Sequence, residues 1–137
     1  MEEKVVVVSG YFNPVHKGHI AMFEEAKKLG TKLIVIINSD KQVEMKGSRK
    51  FMDEDERRYI VESIGCVDKA VVSIDEDKTQ CKTLAMIKPH LFANGGDRRN
   101  ENDLPEAAVC KEHEIEMVFN VGGGKVQSSS WLLTDKK

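Results

Sequence analysis

Hydrophobic positions along the chain switch repeatedly between two periods. Lys4–Val8 is a continuous β-branched run, the pattern of a strand covered on both faces. From His19 to Leu29 the apolar residues fall at Ile20, Met22, Phe23, Ala26 and Leu29, a helical spacing that Gly30 ends. Lys32–Ile37 (KLIVII) reads as a second buried strand. Asp53–Ile64 reads as a helix that opens on acidic residues, which favour its positive end. Lys69–Ile74 is a third strand, and Thr79–Ile87 a helix with Pro89 beyond it. Leu91–Ala93 is a short fourth strand. Leu104–His113 is a helix with Pro105 in its first turn, Ile115–Asn120 a fifth strand, and Ser128 to Asp135 a closing helix.

Strands alternate with helices from end to end. The expectation is an α/β fold: one domain over residues 1–137, doubly wound and Rossmann-like, with right-handed crossovers. Five parallel strands in the order 3-2-1-4-5 would place a crevice between the first and fourth, beyond their carboxyl ends. Two loops of unusual composition, Glu44–Lys50 and Gly122–Gln127, remain outside the periodic segments.

Composition narrows the function. With 137 residues the chain can bury one ordinary core. A formal charge of −2 provides no basic field for nucleic acid. No apolar run approaches a membrane span, and a charged start running directly into a strand lacks the form of a secretory leader. A cytoplasmic location is therefore expected. Cys66, Cys81 and Cys110 are three in number and far apart, which argues for reduced, ordinary residues rather than disulfides or a zinc site.

Chemistry concentrates at the two loops flanking the expected crevice. After the first strand comes "GYFNPVHKGH", residues 10–19; after the fourth comes "NGGDRRN", residues 94–100. Gly10 would let backbone approach a ligand closely, and a helix beginning near Gly18 offers unpaired N–H groups to an anion. His16 and His19 add donors at the same place, with Gly18 leaving room between them. Such a pair suits a polyphosphate whose charge shifts toward a leaving group.

These residues resemble the signature loop of the H-x-G-H nucleotidyltransferases, in their cytidylyltransferase-like branch. That branch includes the glycerol-phosphate cytidylyltransferases and the heptose-phosphate adenylyltransferase domain. The likeness covers nearly the whole chain: "LIVIINSD" (33–40), "KGSRKFMDEDERRYIVESIGCVDKAVV" (46–72), "IKPHLFANGGD" (87–97) and "VQSSSWLL" (126–133) each resemble a family segment in order.

The resemblance implies a reaction. The phosphate of a small phosphorylated molecule, a sugar or polyol phosphate, attacks the α-phosphate of CTP or ATP. Pyrophosphate leaves, with Mg²⁺ accompanying the nucleotide and no covalent enzyme intermediate. It also implies roles. His16 and His19 would hold the triphosphate, and Lys46 would reach phosphate as a lid, with Arg49 and Lys50 competing for that position. Arg57 would grip the acceptor phosphate, with Arg58 the competing choice one step around the helix. Tyr11, Phe12, Gly95, Asp97, Ser128 and Ser129 would join Gly10 and Gly18 around the nucleotide. Asp97 would serve either Mg²⁺ or a nucleotide hydroxyl, and the two serines either phosphate or a helix cap alone.

Asn13 stands where the family's typical cytidylyltransferases carry an acid, and "NVGGGKVQSSSWLL" differs from the usual last loop. The family label favours cytidylyl transfer, whereas the "GGD" turn leans toward adenylyl transfer. A homodimer is expected from the family, with Trp131, Leu132 and Leu133 as candidate seam residues. The competing readings are a non-catalytic nucleotide-binding module, which would be expected to have lost part of the apparatus, and a purely structural domain, which leaves H-x-G-H and G-G-D unexplained.

Overall fold

The computed structural model describes residues 3–94, 105–119 and 121, and the backbone of 127–128. Six strands form one sheet in the order β3-β2-β1-β4-β5-β6. They are β1 (Val5–Gly10), β2 (Lys32–Ile37), β3 (Lys69–Val72), β4 (Leu91–Ala93), β5 (Glu116–Phe119) and β6 (Gln127–Ser128). The first five pair in parallel, in the order expected from the sequence. β6 is an addition. It runs antiparallel to β5 with Val118 opposite Ser128, so Ser128 lies in an edge strand rather than at the start of a helix. The remainder of the expected closing helix, with Ser129 and Trp131 to Leu133, lies outside the described residues.

Both faces of the sheet are covered, which accounts for unbroken apolar strands. Val6 and Val8 point into one layer with Phe23 and Ala26 of α1 (Lys17–Lys27), and with Val61 of α3 (Glu54–Glu62). Val7 points the other way, toward Leu84 of α4 (Cys81–Ile87) and Cys110 of α5 (Ala107–Glu112). Each fully buried side chain of this kind contributes about 1.5–3 kcal/mol. All three cysteines are free, and burial, then Glu106 and Cys81, push the Cys110 thiol up to about 12. Among the described residues no helix is long and apolar enough to cross a membrane.

One helix departs from the expected elements. α2 (Asp40–Lys46) occupies part of a stretch read as loop. Ser39 caps it through a reciprocal pair of bonds: Gln42 N–H donates to Ser39 Oγ (3.2 Å) and Ser39 N–H to Gln42 Oε1 (2.9 Å). Gly47 ends it in the left-handed region, at φ 79°. This helix carries Lys46 to the mouth of the loop that follows β1.

Candidate functional site

A cleft of about 480 Å³ opens where β1 hands over to α1. Its lining includes Tyr11, His16 and His19 from one side and Lys46, Arg49 and Phe51 from the other. Among the described residues no carboxylate belongs to that lining, so its charge suits an anion.

The two histidines are held by the helix start they create. His16 Nδ1 accepts from Gly18 N–H at 3.1 Å, and His19 Nδ1 accepts from His16 N–H at 3.0 Å. The rings stack at 3.8 Å between centroids. Accepting at Nδ1 assigns the ring proton of each neutral imidazole to Nε2. Each ring therefore brings one N–H donor to the cleft. Burial, and then the nearby His16, lower the His19 pKa from its usual 6.5. The Gly18 N–H, expected to meet a ligand, instead fixes His16. A Cβ at position 18 would lie 3.0 Å from His16 Cε1, so glycine leaves space for the ring.

Gly10 serves a neighbour rather than a ligand. A Cβ there would lie 2.7 Å from the Phe12 ring, which folds back over it. Phe12 is buried and meets His19 edge-on at 4.9 Å and Phe23 at 5.2 Å. Gly10→Ala is expected to cost about 1–3 kcal/mol through overpacking and to displace the His19 ring; urea unfolding and imidazole NMR shifts check this. Phe12 is thus the inner wall of the cleft and part of the core at once. Tyr11 lines the cleft with Lys46 Nζ over its ring, 4.1 Å from the centroid.

Arg57 stands elsewhere than expected. Its side chain is only 1% exposed and does not line the cleft. Nε donates to Met52 O (3.1 Å), Nη1 to Tyr11 O (2.8 Å) and Asn38 O (2.7 Å), and Nη2 to Asp40 Oδ1 (2.9 Å). With four such bonds made, it ties together three segments around the cleft and has no face left for an acceptor phosphate. Arg58, the competing choice, points outward and pairs with Glu62 at 3.1 Å. Among the described residues, Lys46 and Arg49 are the cations that line the cleft with the histidines, and Lys50 pairs with Asp40 at 3.6 Å.

Gly95 and Asp97 lie outside the described residues. The chain enters their loop at Asn94, whose N–H donates to Val118 O at 2.7 Å and whose carbonyl accepts from Val121 N–H at 2.9 Å. Among the described residues no group of three histidine, cysteine or acidic side chains could hold a metal ion. Together with the acid-free lining, this means that the described residues do not fit a Mg²⁺ site built by the protein alone.

Two roles escaped the sequence reading. Asp40 pairs with the buried Arg57. Asn13 joins the histidine loop to residues 49–52. A Ser39–Gln42 capping signature marks the helix that carries Asp40; Asn13 stood out only as a departure from the family's acid, and no local signal pointed to its bonds with residues 49–52.

The family model described as cytidylyltransferase-like matches residues 7–123. A FAD synthase from Aciduliprofundum boonei is 34% identical over 113 residues, which are 82% of this chain and 73% of that protein. The bifunctional protein HldE of Koribacter versatilis is 41% identical over 98 residues, 70% of this chain and 20% of that protein. The chain thus spans about a fifth of that relative's length. Among solved structures, a lipopolysaccharide core biosynthesis protein from Thermoplasma volcanium superposes with a TM-score of 0.70 at 27% identity, over 82% of this chain and 88% of that one.

Proposed function

Because this chain belongs to the cytidylyltransferase-like family of nucleotidyltransferases, we propose that it transfers a nucleoside monophosphate from ATP or CTP to a small phosphorylated acceptor, releasing pyrophosphate. An acceptor phosphate oxygen bonds to the α-phosphorus, and the bond from that phosphorus to the bridging oxygen breaks. The electron pair leaves with pyrophosphate. The observation that carries the reading is the histidine pair, locked through both Nδ1 atoms so that Nε2–H donors meet a cleft with Lys46 and Arg49 opposite. Donors fixed before the substrate arrives need no reorganisation as charge moves onto the leaving group.

In this reading His16 and His19 hold the triphosphate, and Lys46 and Arg49 neutralise it. Gly95, Asp97, Ser128 and Ser129 are assigned to the nucleotide in the same reading. Mg²⁺ would accompany the triphosphate and neutralise part of its charge, the described residues offering it no cage of their own. Adenylyl transfer is favoured over cytidylyl transfer by the FAD synthase relative, of which the chain covers 73%. A homodimer is part of the same reading and is checked by sedimentation.

The test is pyrophosphate release from ATP and from CTP, each with polyol phosphates, sugar phosphates and a flavin mononucleotide. Release that requires both a triphosphate and one acceptor supports the reading. No release with any pair, alongside nucleotide binding, replaces it with the binding module.

A further inference from the structure

Asn13 uses both ends of its side-chain amide on one remote segment. Nδ2 donates to Arg49 O at 2.6 Å. Oδ1 accepts from Phe51 N–H at 2.9 Å and from Met52 N–H at 3.3 Å. These bonds cross 36 to 39 positions of sequence and bridge the cleft from the histidine loop to its opposite wall. The held segment lines that wall: Ser48, Arg49 and Phe51 all face the cleft, and the Arg49 guanidinium sits 5.6 Å over the Phe51 ring.

We propose that Asn13 is a positioning residue, an amide latch that holds Arg49–Met52 across the cleft and so sets Arg49 opposite the histidine pair for phosphate. The inference rests on the phosphate reading of the cleft. Besides these bonds, the segment is anchored at its two ends and through one lysine side chain. Ser48 N–H donates to Val43 O at 3.2 Å, Arg57 Nε reaches Met52 O, and Lys50 pairs with Asp40. The backbone of Arg49 and Phe51 is held to the histidine loop by Asn13 itself.

The chemistry demands an amide. A carboxylate of the same shape would still accept from Phe51 and Met52, but it cannot donate to Arg49 O. It would set a negative oxygen against that carbonyl at the same short range and add an anion beside a phosphate cleft. This gives physical content to the departure of Asn13 from the acidic residue of the typical cytidylyltransferases. A latch that donates in one direction and accepts in the other is available to asparagine and denied to aspartate.

The test uses the full chain with Asn13→Asp and Asn13→Ala. Trypsin cuts after Arg49 and Lys50, so mass-resolved cleavage there reads how often the segment opens. Both variants are expected to be cut at those two bonds about tenfold faster than wild type, since cleavage follows the open population. Cutting at Lys69 and Lys82 should be unchanged. Tripolyphosphate, titrated by calorimetry, is expected to bind both variants about tenfold more weakly, the equivalent of one lost charge-assisted contact, and Asn13→Asp the more weakly of the two.

Unchanged cutting at Arg49 and Lys50 overturns the latch. A parallel rise at every site overturns it as well, because the residue would then support global stability only. Local release with unaltered tripolyphosphate affinity overturns the positioning role. Cleavage rates require no turnover, so a chain that releases no pyrophosphate loses the proposed reaction while the latch is still decided.

Discussion

Arg57→Ala is expected to lower stability by about 3–5 kcal/mol, read as a shift of the urea midpoint at unchanged slope. The residue is only 1% exposed, and its guanidinium donates to three carbonyls and one carboxylate. Its removal leaves the carbonyls of Tyr11, Asn38 and Met52 short of a donor and Asp40 with only the longer contact to Lys50. A typical domain has about 5–15 kcal/mol in hand, so the loss would consume a large share. Arg57→Lys keeps the charge but not the planar fork; one ammonium cannot reach three carbonyls and a carboxylate in those directions. It should recover only part of the loss. The expectation separates two roles for this residue. An arginine that gripped acceptor phosphate from the surface would leave the midpoint within about 0.5 kcal/mol of wild type on replacement and raise only the acceptor KM. A midpoint that stays put would restore the phosphate role and remove the structural one.

Why the sequence misled at Arg57 is instructive. Arg57 and Arg58 are adjacent, and successive helical residues point about 100° apart, so one faces in and the other out. Val61, four residues on and fully buried, shares the face of Arg57; that spacing was the available clue. Composition offered no hint that a cation would be taken into the interior, because three of its four partners are backbone carbonyls scattered over residues 11 to 52. Carbonyl positions leave no mark on the sequence.

The sheet was more readable. Val5–Val8, Lys32–Ile37 and Leu91–Ala93 are apolar without alternation because helices cover both faces, and that rule works within a single strand. β6 was unreadable by the same reasoning: two residues, Gln127 and Ser128, have no period. α2 hid for a related reason. In seven residues it buries only Gln42 and Val43, too few to show an apolar stripe, although Ser39, Gln42 and Gly47 marked its two ends. The histidine loop was readable as chemistry but not as mechanics. That Nδ1 of each ring would face backbone, that Phe12 would fill the space over Gly10, and that Asn13 would reach residue 49 all depend on three-dimensional packing between distant segments.

Alanine at either His16 or His19 is expected to reduce pyrophosphate release by about 10²–10³-fold, the usual loss for one fixed donor at a site of developing charge. Each substitution removes more than its own N–H. The rings stack on one another, and each Nδ1 caps a backbone donor of the first turn, so the partner ring loses support as well. His19→Gln separates these effects. Its amide oxygen can accept from His16 N–H while its NH₂ faces the cleft, so Gln should retain more activity than Ala. The same geometry sets a pH dependence. A proton added at Nδ1 would face the backbone N–H that it now accepts, and burial followed by His16 already lowers the His19 pKa below 6.5. With the folded pKa below the unfolded one, the unfolded chain binds more protons in the interval between them. The contribution of His19 is therefore fully present above pH 6.5 and declines as pH falls through that interval toward the folded value. Urea unfolding measured across that range should show wild type losing stability on acidification, and His19→Gln should flatten the slope. An identical slope in both would place the acid sensitivity elsewhere. Equal losses of activity in Ala and Gln would show that the ring acts by something other than holding one neutral donor at the cleft.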